Sequence, residues 1–255
     1  MRKFGFLSVF VLTFLIYSAT GFAYYEESQP PSMQILLSMS VGGAKNGDMT
    51  DMVKDDAKYF ELDLGSSGYN KFSDIKTTKA NLPVGFDLDF RYFFDNIGVG
   101  FQIGYYLDKA EAKVTASDNT SSLANTTATS TMELWVVPYV GTVFYRLAFS
   151  PNSFMLFGGG LGYYKGKITY DLEYTGGIAA SDSGTYKQSK IGYHILAEYD
   201  YAFDIGFTLF AGLKAKYVQF DKFKGGGETL ENWDDSKLEA GLTGISFYFG
   251  LGFSF

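Results

Sequence analysis

The chain has no cysteine, one histidine and five prolines in its 255 residues. Without cysteine there is no disulfide framework, no thiolate metal site, no catalytic thiol and no lipoprotein-type anchor. A single histidine gives no basis for a His-rich metal centre, and no metal or other cofactor is expected. Basic blocks are missing too. Lys and Arg number 21 against 28 Asp and Glu, a net charge of -7, and no cluster of positive charge suggests a nucleic-acid partner. Past the amino terminus no apolar run approaches the ~20 residues that a spanning helix needs. If the chain sits in a membrane, helices do not put it there.

The first segment has the pattern of an export signal. Arg2 and Lys3 form a positive start, residues 4–17 are apolar, and residues 18–23 end with small residues at the third-from-last and last positions, Gly21 and Ala23. Residues 1–23 therefore read as a signal peptide handled by the export translocon, and 24–255 as one domain. The alternative, an uncleaved anchor, is disfavoured by the short apolar run.

Aromatic residues make up 18% of the chain, with 20 Tyr and 25 Phe, and Gly reaches 30. Mean hydropathy is nonetheless -0.02. Alternating apolar and polar residues give such an average, and alternation is the dominant pattern. It is clearest in 245–255, where Ile245, Phe247, Phe249, Leu251, Phe253 and Phe255 share one face and Ser246, Tyr248, Gly250, Gly252 and Ser254 the other. The same period of two recurs near 33–43, 80–94, 97–107, 132–147, 153–173, 187–203 and 207–221. Tight turns at Asp95-Asn96, Ser150-Pro151-Asn152 and Asp204-Ile205 alternate with long polar loops at 44–79, 108–131, 174–186 and 222–236.

Eight alternating strands with this turn asymmetry predict an all-β fold, an eight-stranded antiparallel transmembrane β-barrel in up-and-down meander order. Short turns and both termini are expected on the periplasmic side of a bacterial outer membrane, with long loops extracellular. A soluble barrel would instead carry a charged outer face. Here the charged and aromatic faces are opposite, and Tyr92, Phe94, Tyr145, Tyr199, Tyr201 and Phe203 cluster beside the short turns, where an interfacial girdle belongs.

The closing residues Phe247, Phe249, Leu251, Phe253 and Phe255 resemble the C-terminal signal by which barrel-assembly machinery recognises outer-membrane barrels. The domain as a whole is similar to the small eight-stranded barrels: OmpW-like, OmpX/Ail-like and the OmpA transmembrane domain. Pro138-Tyr139 followed by Phe144-Tyr145-Arg146 looks like a strand of that broad group. The resemblance implies an outer-membrane lipid environment.

Charges on the inward face are the most specific feature. Asp87, Asp89, Arg91, Arg146, Glu198, Asp200, Lys214 and Lys216 all fall on that face. Arg91, Arg146 and Asp200 each lie four residues from a short turn and are expected to share a level. Eight strands enclose little more than side chains, so a salt-bridged plug is one reading and a gated polar path the other. Asp87 and Asp89 could pose as a carboxylate dyad or calcium site, but alternate residues on one strand more readily pair with Arg and Lys. His194 has no Ser/His/acid arrangement of recognisable spacing around it, and no enzymatic activity is expected. Gly158-Gly159-Gly160-Leu161-Gly162 lacks the Lys-Ser/Thr ending of a phosphate loop; it reads as room for large neighbours. Met49, Val53 and Phe60 hint at a short amphipathic helical turn in the first loop. The Ser/Thr/Asn-rich 119–131 reads as a solvated loop, and Trp233 as an interfacial aromatic rather than a binding anchor.

Two functions follow as expectations. By its OmpW-like resemblance the barrel passes small hydrophobic molecules, with inward Leu36, Val136, Val140, Leu196 and Val218 as a candidate apolar constriction above the charges. By its OmpX/Ail-like resemblance the loops instead bind host surface molecules, in adhesion or immune evasion.

Overall fold

A computed structural model describes residues 32–80, 82–117, 124–177, 180–203, 206–232 and 236–254. Eight long strands run in chain order: β1 (Ser32–Gly42), β2 (Val84–Phe94), β3 (Ile97–Ser117), β4 (Thr126–Ser150), β5 (Ser153–Gly176), β6 (Ala180–Ala202), β7 (Phe207–Tyr217) and β8 (Gly244–Ser254). Each pairs antiparallel with the next, β2 with β1 across the long first loop. The ring closes where β8 pairs with β1, Gln34 opposite Ser254 through Gly42 opposite Ser246. Closure leaves no free edge, so every strand of the ring finds its backbone partners within the ring.

The pleat sorts side chains to two faces. Odd positions of β3 to β8, and even positions of β2, point outward. They form a continuous apolar belt that includes Phe101, Leu161, Ile191, Leu213, Ile245 and Phe249, all exposed; Ile191 keeps 77% of its surface accessible and Leu161 66%. At the end with the short turns the belt finishes in a girdle of rings. Tyr92 packs on Phe94, Tyr201 on Phe203, Phe203 on Phe207 and Phe207 on Phe253, with centroids 4.6, 4.9, 5.7 and 5.9 Å apart. The turn at Asp95 needs a left-handed backbone (φ 52°), which Asp tolerates better than most residues.

At the opposite end the strands differ in length. β1, β2, β7 and β8 stop after 11 residues, while β3 to β6 continue for 21, 25, 24 and 23 residues in all. Four strands thus rise beyond the belt as a curved wall. This corrects the reading of 108–131 and 174–186 as loops. The ladder is unbroken from Asp108 opposite Leu134 to Ala116 opposite Thr126, and from Tyr174 opposite Ala180 downward. Small residues and threonine hid the alternation there. Ala110, Ala112, Val114 and Ala116 line the inner face, and the β-branched Thr127, Thr129 and Thr131 fit the outer strand surface.

The first loop holds a helix, α1 (Gly47–Ser66), of 20 residues, not a short turn. Met49, Val53, Ala57, Phe60 and Leu64 recur at helical spacing and are buried against the wall. Asp51, Asp55, Lys58 and Leu62 face away from it. The ring also ends earlier than 207–221 suggested. Beyond Tyr217, Gln219–Phe220 leaves the barrel ladder and pairs with Ala240–Gly241, and Phe220, Phe223, Leu238 and Leu242 join α1 over the wall's inner face. Strand β2 starts at Val84 rather than 80, just after Pro83. The signal-peptide segment, Asn119, Trp233 and Phe255 lie outside the described residues.

Candidate functional site

The interior is layered from the turn end upward. In the lowest layer Arg146 donates to the Asp95 carbonyl at 2.7 Å and to the Ser32 hydroxyl at 3.4 Å. Its guanidinium lies between the Phe93 and Phe154 rings, 4.8 and 5.2 Å from their centroids. Above it Arg91 and Glu198 form a bidentate pair, the second contact being Nη2 to Oε2 at 3.0 Å. Asp89 adds a contact to Arg91 at 3.5 Å. The rings of Phe144 and Phe210 flank the same guanidinium at 4.8 and 5.6 Å. Both members of the Arg91–Glu198 pair are almost fully buried, at 1% and 0% side-chain exposure. Such a pair is tolerated only with this geometry, because the loss of hydration is large.

The next layer holds the lysines. Lys214 donates to Gln102 Oε1 at 3.0 Å and stands over the Tyr248 ring at 4.9 Å. Lys216 stands over the Tyr106 ring at 3.8 Å, and the Tyr106 hydroxyl donates to Asp87 at 2.6 Å. His194 is buried, with Nε2 3.2 Å from the Thr142 hydroxyl. Asp200 is buried two residues along the same face from Glu198. Asp200 lies within electrostatic reach of both Arg91 and Arg146, but the direct contacts are others: Arg91 takes Glu198, and Arg146 takes backbone and hydroxyl oxygens of the turn end. Among the described residues no group of His, Asp or Glu is arranged to hold a metal ion; Asp87 and Asp89 instead take Tyr106 and Arg91.

Sequence reasoning missed the rings that flank these cations. Phe93, Phe144, Phe154, Phe210, Tyr106 and Tyr248 all sit on the inward face. The available signal was an aromatic residue in the phase of the polar face. Inward glycines make space for them: a side chain at Gly98 would meet the Phe93 ring at 2.5 Å, and one at Gly100 the Phe144 ring at 2.8 Å.

Above the charges the interior turns apolar. Val136, Val140, Tyr106, Tyr164 and Val218 form the floor of one buried cluster, whose upper part is α1 and the segment from Phe220 to Leu242. Leu36 and Leu196 do not belong to it; they sit lower, in separate clusters with Phe210 and Tyr248, and with Phe93, Phe144 and Leu156. The helix is fastened by polar contacts as well. Asp56 on α1 accepts from Ser130 and from Tyr170, and Asn46 beside it donates to Asp108 at 2.6 Å. The wall has one seam at this height. The β3–β4 ladder runs to Ile103 opposite Tyr139 and resumes at Tyr106 opposite Val136. Pro138, which has no N–H to give, lies in the gap.

A closed ring with paired charges inside and an uninterrupted apolar belt outside reverses the polarity of a soluble protein. This is a transmembrane β-barrel of eight strands. Its belt is 11 residues long on β3, from Ile97 to Leu107, the length a tilted strand needs to cross a bilayer. Phe247, Phe249, Leu251 and Phe253 are on its outer face, exposed on β8.

No family model and no curated protein matches the chain. Among solved structures it is similar to Ail, the attachment invasion locus protein of Yersinia pestis, at 16% identity and a TM-score of 0.37, covering 89% of this chain and 100% of that one. It is similar to the outer membrane protein OprG from Pseudomonas aeruginosa at 12% identity and a TM-score of 0.40, covering 88% and 95%. Neisserial surface protein A gives 11% identity and a TM-score of 0.40, covering 87% and 95%. The barrel assignment stands on the chain's own ladders and exterior.

Proposed function

We propose that the protein resides in a bacterial outer membrane and passes small apolar molecules sideways through its wall. The short turns and both ends of the ring then face the periplasm, and α1 with the tall wall faces outside. The carboxy-terminal phenylalanines serve as the recognition signal for barrel assembly. The observation that carries the reading is the stacking of an apolar compartment directly on a charge-sealed lumen, with a ladder gap at Pro138 beside the compartment floor. A solute that entered from above would find no route downward past Arg91 and Glu198, where removing its own hydration gains nothing. It would find apolar side chains and an interrupted ladder facing the bilayer at the outer edge of the belt. In this account α1 is the lid. It fills the compartment when docked, held by its buried apolar stripe and by the fastenings at Asp56 and Asn46. No catalytic step is assigned to the barrel.

The test is uptake into liposomes by the refolded protein, with and without residues 47–66. Faster entry of an apolar solute on removing the helix, with no entry of a polar solute of equal size, supports the reading. Unchanged apolar entry counts against the helix as lid.

The tall wall favours a second reading, a surface-binding protein. Strands β3 to β6 hold a stiff, helix-backed platform well clear of the belt, which presents a defined surface to host molecules. Binding of host surface components by intact cells, lost when 108–117 and 126–134 are trimmed as a pair of strands, is the corresponding test.

A further inference from the structure

The outer surface of the wall carries a pocket that neither the lumen nor the lid uses. It is a cavity of about 330 Å³ lined by Tyr105, Trp135, Val137, Lys165, Lys167 and Lys187, among others. The register fixes its place. Just below it on the exterior lies the apolar row Ile103, Tyr139, Tyr163 and Ile191. Next comes Val137, Lys165 and Ser189, with Tyr105 across the ladder gap from Val137, and then Leu107, Trp135, Lys167 and Lys187. The pocket therefore straddles the height at which hydrocarbon gives way to headgroups.

Its charge is unbalanced. Lys167 and Lys187 stand directly opposite each other, and Lys187 stands opposite Lys224 on the adjoining segment. Like charges directly across a ladder repel. Among the described residues no carboxylate lies within 4.0 Å of Lys165, Lys167 or Lys187, whereas Lys109 and Lys190 have such partners. This row of cations occurs in a chain whose net charge is -7. The lysines are held over rings instead: Lys165 lies 5.2 Å from the centroid of Tyr139 and Lys167 5.9 Å from that of Trp135. Trp135 packs edge-on to Tyr105 at 5.2 Å. Shielded from solvent, the Trp135 indole N–H and the Tyr105 hydroxyl have no hydrogen-bond partner in the described protein. Buried donors without partners are rare enough to call for one.

We infer that this pocket binds the phosphate of an anionic outer-leaflet lipid. The three lysines that line the pocket supply ammonium donors for a multiply charged oxyanion. The Trp135 and Tyr105 donors lie within the same pocket, and the acyl chains run down Val137, Tyr139, Tyr163 and Ile191 into the bilayer. The bound phosphate relieves the repulsion along the lysine row. The inference rests on the barrel being embedded in a bilayer with the tall wall outside, and is independent of whether a solute passes.

The experiment uses the full mature chain with Trp233→Phe, so that Trp135 is the only tryptophan. The protein is placed in phosphatidylcholine nanodiscs and titrated with lipid A while Trp135 emission is followed. A saturable change at one lipid per protein is expected, weakened by about 100-fold in Lys165→Gln/Lys167→Gln/Lys187→Gln. Lys71→Gln/Lys76→Gln/Lys113→Gln removes the same charge higher on the exterior and should leave the titration unchanged. Inorganic phosphate in place of lipid A should give no saturation. Equal weakening by the two triple variants would reduce the effect to general surface charge and overturn the site. Equal saturation by inorganic phosphate would overturn the lipid assignment, and no saturable change in the parent protein would overturn both. The liposome uptake assay reads the passage proposal separately, so either can fail alone.

Discussion

Replacing Glu198 by Ala should destabilise the barrel far more than replacing Glu198 and Arg91 together. The lumen carries four carboxylates, Asp87, Asp89, Glu198 and Asp200, and four cations, Arg91, Arg146, Lys214 and Lys216. Removing Glu198 alone leaves a guanidinium of 1% side-chain exposure without its bidentate partner, a loss of about 3–5 kcal/mol for a buried pair. Asp89 at 3.5 Å and the rings of Phe144 and Phe210 remain, which places the loss near the lower end, about 3 kcal/mol. With a urea dependence of about 2 kcal/mol per molar, the unfolding midpoint falls by about 1.5 M. In Arg91→Met/Glu198→Leu one charge of each sign is lost and the volume is kept, so stability should stay within about 1 kcal/mol of the parent or rise. Urea unfolding of the refolded protein in micelles, followed by tryptophan emission and by gel mobility of the folded form, measures both. Equal losses in the single and double variants, or a single-variant loss below about 0.5 kcal/mol, would refute the claim that this layer is dry and sealed.

Other expectations follow from the regions above the belt. Phe60→Ala deletes a ring that is 2% exposed and packs on Tyr174 at 5.1 Å. It should loosen α1 by about 3–5 kcal/mol while amides of β8 keep their protection in hydrogen exchange, because the ring below does not depend on the helix. Lys190, 2.8 Å from Asp221, and Gln188 hold the Asp221 carboxyl below the usual carboxylate range. Its lowered value in the folded state means that the contact contributes in full above the normal carboxylate value and is lost as pH falls through the lowered one. Amides of Asp221 and Lys222, which donate to Gln188 at 2.9 and 2.8 Å, should therefore lose protection only in that acid window, and Asp221→Asn should abolish the pH dependence.

The ring was legible in the sequence because its two faces differ so sharply. Residues 245–255 alternate without exception, and the outward residues of β2 to β7 keep the same rhythm. Above the belt, water faces one side of the wall and α1 the other, so the contrast softens to Lys against Ala and Thr against Ser. That is why 108–117 and 126–131 read as loop. The helix showed only as Met49, Val53 and Phe60, three residues of a stripe that continues through Ala57 and Leu64. The inward charges were visible one by one, but their partners were not. Pairing across the lumen depends on how the strands sit round the ring, and alternation along one strand does not reveal that Arg91 meets Glu198. Rings such as Phe144 and Phe210 passed as ordinary strand residues, although an aromatic in polar phase marks a cation nearby. The exterior pocket was out of reach, since only the register places Lys167, Lys187 and Lys224 side by side.

Lateral passage of apolar solutes past a sealed lumen is measured directly by the entry of two equal-sized solutes, one apolar and one polar, into liposomes whose lipopolysaccharide slows unassisted crossing, with the refolded residues 24–255 present or absent. The protein should speed the apolar solute only, and closing the seam with Pro138→Val, which restores an N–H to the ladder, should slow it again. Entry of the polar solute at a comparable rate, or no gain for the apolar one over protein-free liposomes, would contradict lateral passage.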